Sequence, residues 1–208
     1  MAALEQRDVL WEPGQRIGAV AFPIGGVISL LTSTRNGAGV ELATIGNEGM
    51  AGVAVVLGSR DRPIERAVSQ IAGETLLIDA DVLETRFADS PELRQLMLAY
   101  THTLVKHVAQ GVACNRLHPV EQRCARWLLA THDRVGRDEL ELTQDFLAQM
   151  LGVRRASVTE TLGVLQRAGL VSTRRGGIRI EDRAALRDAS CECYEVVREE
   201  YDRLLPAD

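Results

Sequence analysis

The sequence has no long apolar run, few cysteines and a single lysine, Lys106, among its 24 basic residues. Nothing approaches the roughly 20 apolar residues that a membrane span needs, and the run Ile24–Leu31 reads as a buried strand. Glu5, Arg7 and Asp8 stand near the start with no apolar stretch behind them, so no signal peptide is expected. Four cysteines in 208 residues are too few for a disulfide scaffold and fit a reducing compartment. A cytoplasmic protein with no membrane partner is expected. Catalytic signatures are missing too: there is no phosphate loop, nucleophile elbow or His-Glu-x-x-His. Asp79 and Asp81 flank a helix start and read as caps, so no catalytic residue is assigned.

What is present is ordinary in amount and uneven in place. A hydrophobic fraction of 46% and a charged fraction of 25% fit a folded domain. The formal charge is −5, yet Arg154–Ile180 holds Arg154, Arg155, Arg167, Arg174, Arg175 and Arg179 against one acid, Glu160. That window is +5 and the rest of the chain −10. A local basic face on an acidic body can dock a phosphate polymer without coating it at random.

Residues 1 to about 79 read as strands, within a sensor-like domain over residues 1–90. Ala19–Phe22, Gly26–Thr34, Val40–Ile45, Arg66–Ile71 and Thr75–Ile78 are short apolar runs. Turn signals stand at Pro13-Gly14, Gly25-Gly26, Asn36-Gly37 and Ala72-Gly73. An antiparallel roll or sandwich follows, and Asp79 or Asp81 would cap a short helix through Phe87. The period changes at Pro91. Leu93, Met97, Tyr100, Leu104, Val108 and Gly111 or Val112 mark a stripe along one helix over residues 91–118. A helix of about 35 to 40 Å outreaches a small roll, so a second copy is expected to cover the stripe.

Residues 119–208 carry the functional signal. A helix from Val120 ends near Gly136, and the polar Arg137–Glu141 is a linker or short strand. Thr143 caps a helix over Gln144–Leu151, which Gly152 ends, and a second helix runs from Arg154 to Ala168. Two short helices about a glycine turn make a helix-turn-helix. Strand–turn–strand over Leu170-Val171, Arg174-Arg175-Gly176-Gly177 and Ile178–Ile180 then reads as a wing. With Val158, Leu162 and Leu165 inward, the second helix leaves Arg154, Arg155, Ser157, Thr159 and Glu160 at its outer end, where base edges are read. Arg174, Arg175 and Arg179 would meet phosphates.

The stretch Leu142–Leu162, followed by Leu165-Gln-Arg-Ala-Gly-Leu170, resembles the cyclic-AMP receptor protein/fumarate–nitrate regulator (Crp/Fnr) superfamily. The resemblance runs over nearly the whole chain. It implies an α+β protein: an N-terminal antiparallel β-roll, a long dimerisation helix, and a C-terminal winged helix-turn-helix with a helical tail. It also implies double-stranded DNA with a near-palindromic operator, a homodimer, and RNA polymerase as partner of an activator. Arg155 matches the family's guanine-contacting arginine, while Ala156 replaces its base-reading glutamate and Glu160 stands where an arginine is often found. The sensor cassette is degenerate. Gly49, Gly52 and Arg66 remain as candidate effector residues, but Met50 and Ala67 cannot make the family's ribose and hydroxyl contacts, and Glu48 is two residues out of register.

The first cysteine is Cys114, which does not match the N-terminal cluster of the iron–sulfur members, and no cofactor is expected. Cys114 and His118, four apart, and Cys191-Glu-Cys193 are pairs that could in principle supply four ligands. Their separation gives no standard zinc spacing, and a helical cysteine is more often a small buried apolar residue, so no metal site is assigned. His102 and His107 read as surface or interface residues. The alternative function is a ligand- or redox-sensing module whose winged domain binds protein.

Overall fold

The computed structural model describes residues 1–35 and 39–204. The turn expected at Asn36-Gly37 lies outside the described residues. The chain divides into two compact units, one of Met1–Thr32, Leu42–Val108 and Glu200–Asp208, the other of Ser33–Glu41 and Ala109–Glu199.

The first unit is built on antiparallel sheets. β1 (Ala2–Leu4), β7 (Gly73–Asp79) and β3 (Ala19–Pro23) form one sheet in the order β1-β7-β3. β2 (Val9–Trp11), β6 (Arg66–Ile71), β4 (Val27–Ser33) and β5 (Gly39–Ile45) form the other in the order β2-β6-β4-β5. All five expected strands are present. β1 and β2 are new, because three residues are too few to show an alternation. Trp11, Ile17, Val20, Ile28, Ile45 and Met50 are buried, and the buried Ser29 hydroxyl donates to Gln70 Oε1 at 2.7 Å. α1 (Ala80–Asp89) is capped by Asp79, whose carboxylate accepts from the Asp81 N–H at 2.8 Å. Asp81 instead pairs with Arg60 at 2.5 Å.

α2 (Pro91–Leu117) begins where Ser90 Oγ accepts from the Leu93 N–H. The stripe expected to meet a partner is divided. Met97, Tyr100 and Leu104 are buried within the single chain, at 6%, 3% and 5% exposure. Leu93, Val108 and Gly111 are half-buried, and Val112 alone of the seven is exposed. An apolar period shows that a helix has an inner face; it does not say whose surface covers it. The bare face of α2 carries Leu98, Val105 and Val112, seven residues apart.

The second unit holds α3 (Val120–Val135), which ends at Gly136, then β8 (Glu139–Leu140), α4 (Gln144–Leu151) and α5 (Arg155–Arg167). β9 (Val171–Arg174), β10 (Gly177–Ile180), α6 (Arg183–Asp188) and the start of α7 (Cys193–Leu204) follow. Within the expected linker, β8 pairs with β10, so the wing is a three-stranded sheet in the order β8-β10-β9. Leu128, Leu129, Leu147, Val158 and Leu162 form the core between the helices. Trp127 donates from Nε1 to Glu41 Oε2 at 2.7 Å.

Candidate nucleic-acid interface

Local chemistry fixes the angle between α4 and α5. Thr143 Oγ1 accepts from the Phe146 N–H at 3.2 Å, which starts α4. Gly152 ends it at φ 64°, a left-handed conformation that glycine adopts without strain, and Val153 N–H returns to the Ala148 carbonyl. Arg154 is the N-cap of α5, and an arginine offers no acceptor there, so the first-turn N–H groups have no side-chain cap. Such a helix end favours an anion. Val158, Thr161, Leu162 and Leu165 are buried, which leaves Arg154, Arg155, Thr159 and Glu160 exposed and Ser157 half-buried.

An open cleft of about 280 Å³ lies between the start of α5 and the wing. Thr143, Gln144, Asp145, Arg155, Arg174 and Arg175 are among its lining residues. Arg155 pairs with Asp145 at 3.3 Å, Arg174 with Glu139 at 2.7 Å, and Arg179 with Glu181 at 3.7 Å. Each of these side chains is 40% or more exposed. Ion pairs so open to water are worth about 0–1 kcal/mol and exchange readily for another anion. Arg154 and Arg175 carry no ion pair among the described residues.

Thr159 has a different place from the one its position on the helix implied. Its hydroxyl lies 2.7 Å from Gln144 Oε1 and 3.2 Å from the Arg155 carbonyl, so it braces α5 against α4. Gln144, Asp145 and Glu139 were not expected at the site. Asp145 carried one signal: an acid in the first turn of α4, facing the basic start of α5 across a glycine turn.

Each of the three candidate effector residues has its own contacts within the fold. Gly49 lies in a turn with Gly46, where Glu48 accepts from the Gly46 N–H at 3.1 Å. Its open face is filled by the Tyr100 ring, whose hydroxyl donates to the Met50 carbonyl at 3.0 Å. Gly52, at φ 108°, packs on Val20. Arg66 pairs with Glu12 at 3.1 Å, at an angle that makes a charge contact and not a hydrogen bond. The pocket of about 170 Å³ beside Gly49 is lined mainly by apolar groups, including Phe22, Met50, Leu96 and Met97, and Arg66 does not reach it. Among the described residues, no helix is long and apolar enough to cross a membrane.

Residues 122–189 match the Crp-like helix-turn-helix domain family. The chain is similar in structure to FixK2 from Bradyrhizobium japonicum, at TM-score 0.76 and 15% identity over 91% of this chain and 96% of that one. It is also similar to two transcriptional regulators from Thermus thermophilus. For the one of the CRP family the TM-score is 0.75, with 17% identity over 91% and 96% of the two chains. For the one of the CRP/FNR family the TM-score is 0.72, with 20% identity over 91% and 97%. No curated protein matches by sequence. At these identities the likeness is one of fold. Residues 122–189 thus form a Crp-like helix-turn-helix domain, and the chain as a whole shares the fold of Crp/Fnr regulators.

Proposed function

We propose that the protein is a homodimeric, sequence-specific DNA-binding transcription regulator, cytoplasmic as its target requires, with a degenerate cyclic-nucleotide-type sensor. One observation carries this reading: Arg155 at the exposed start of α5 and Arg174 and Arg175 of the wing border the same open cleft, their charges free or held by weak surface pairs. In this reading Arg155 grips a guanine and Glu160 accepts from a cytosine amine, with Arg154 and Ser157 beside them. Arg174, Arg175 and Arg179 would hold phosphates and so set the register. The domains follow as roll sensor (1–90), dimerisation helix (91–118) and winged domain with its tail (119–208). A protein of this kind that activates would also touch RNA polymerase.

The dimer seam proposed is the bare face of α2. Leu98, Val105 and Val112 repeat at seven residues, the spacing at which paired helices interlock. Two such helices would set the α5 pair about one duplex turn apart, on a near-palindrome with half-sites about 10 base pairs apart or a multiple of that. Val105→Glu would place a charge in the seam and should yield a monomer in sedimentation. If Val105→Glu stays dimeric, α2 is not the seam.

Selection of bound duplexes from a random pool, followed by affinity measurements on single-base variants, tests the readout. Arg155→Ala should relax choice at one base pair and cost about 1–3 kcal/mol on the preferred site. Uniform loss on every duplex would remove Arg155 from base reading. Failure of the unmodified protein to bind any duplex in dilute buffer would favour the protein-binding module instead.

A further inference from the structure

The fold brings together two pairs of residues that the sequence keeps over 70 positions apart. Cys114 and His118 close the C-terminal end of α2, while Cys191 and Cys193 precede and open α7, all four within the second unit. One atom from each, three Sγ and a ring nitrogen, lies within 4.8 Å of all the others. Cys114 Sγ is 3.5 Å from Cys191 Sγ, and His118 Nδ1 is 3.5 Å from Cys193 Sγ. From these juxtaposed donors we propose a structural Zn²⁺ site of three thiolates and one imidazole.

Geometry selects the ion. Zn²⁺ bonds of about 2.3 Å to sulfur and 2.0 Å to nitrogen put tetrahedral ligand atoms roughly 3.5–3.8 Å apart, so small shifts close the site. An iron–sulfur cluster divides its protein ligands between two or more irons bridged by sulfide, and needs a wider spread than this quartet offers. Soft sulfur with one imidazole at tetrahedral spacing suits zinc.

The surroundings are those of a ligand set and not of three small apolar side chains. His118 turns Nδ1 inward and sets Nε2 3.2 Å from the Glu192 carboxylate. A carboxylate at the far ring nitrogen fixes the tautomer that a metal requires. The Gln110 amide donates to Cys193 Sγ at 3.0 Å. Arg126 brings positive charge to Cys114, and its buried Nε has no hydrogen-bond partner. Three thiolates on Zn²⁺ leave a net charge of −1, which that arginine offsets. Cys124 shows the contrast. It is buried outside the cluster, and burial pushes its thiol up to about 12.

The test loads Zn²⁺ and Co²⁺, each alone, onto the full-length chain after reduction and chelation. One metal per chain is expected. Co²⁺ should show tetrahedral d–d bands with thiolate charge transfer, and three thiols should become protected from alkylation. Cys191→Ser and His118→Ala should reduce metal affinity at least tenfold, while Cys124→Ser keeps full loading. Zn²⁺ should raise the unfolding temperature of the unmodified chain and not of Cys191→Ser. The proposal fails if the reduced chain takes up no more metal than Cys191→Ser, or if Co²⁺ binds with an octahedral spectrum. It also fails if the isolated protein carries iron with inorganic sulfide, or a Cys114–Cys191 disulfide that reduction does not convert to a metal site. Should Cys191→Ser not fold, the Co²⁺ spectrum of the unmodified chain decides.

Discussion

The roll and the winged domain both carry arginines, but in different surroundings. In the roll, Arg66 faces Glu12, and the largely covered Arg60 is held between Asp81 and Glu84 at 2.5 and 3.3 Å. The Arg60 hydrogen bond in turn keeps Asp81 below the usual carboxylate range. In the winged domain, Arg154 and Arg175 stand free of ion pairs among the described residues, while Arg155 and Arg174 have acids that water also reaches. A binding site needs charge whose present partner is weak. By that measure the winged domain offers several arginines to an anion, whereas in the roll Arg60 is held fast and Arg66, weakly paired, does not line the pocket beside Gly49.

The largest effect that would test this contrast is the response to salt. Three wing arginines in each of two protomers give six candidate phosphate contacts. Raising salt from about 50 to 200 mM should then weaken duplex binding by about 10³-fold, through counterion release. Fluorescence anisotropy over a salt series measures the slope. A flat slope would mean that the wing arginines stay with Glu139 and Glu181, and the difference between the two domains would vanish.

A smaller effect is expected inside the roll. At Gly49, one of the proposed effector residues, the Tyr100 hydroxyl and ring fill the space that a side chain would need. Gly49→Ala should push Tyr100 off the Met50 carbonyl and lower stability by about 1–3 kcal/mol, read as a reduced unfolding temperature. If Gly49→Ala leaves stability unchanged, Tyr100 is mobile and the pocket beside it is open to a ligand.

The same contrast explains what could be read from the chain before folding. α4 and the turn at Gly152 were legible to the residue, because Thr143, the apolar spacing and one glycine each act locally. The five longer strands were legible as short apolar runs between glycine turns. The division of the α2 stripe was not, since Met97, Tyr100 and Leu104 are covered within the single chain, and only tertiary packing reveals that. The braces at the site, Gln144 on Thr159 and Asp145 on Arg155, span a helix-helix angle that no linear spacing encodes. The approach of Cys114 to Cys191 is legible still less, for it depends on where the chain returns after the whole winged domain.

Removing Arg66 should have the smallest effect of all, and its smallness is informative. Its partner Glu12 is about half exposed, so Arg66→Ala should change stability by less than about 1 kcal/mol. Calorimetric titration with cyclic AMP at sub-millimolar ligand should give no heat for the unmodified protein or for the variant. The reason is geometric as well as electrostatic: Arg66 does not line the pocket beside Gly49, and Met50 cannot accept from a ribose hydroxyl. A micromolar isotherm in the unmodified protein, abolished by Arg66→Ala, would require that Arg66 leave Glu12 for a phosphate. The roll would then hold an exchangeable charge just as the wing does.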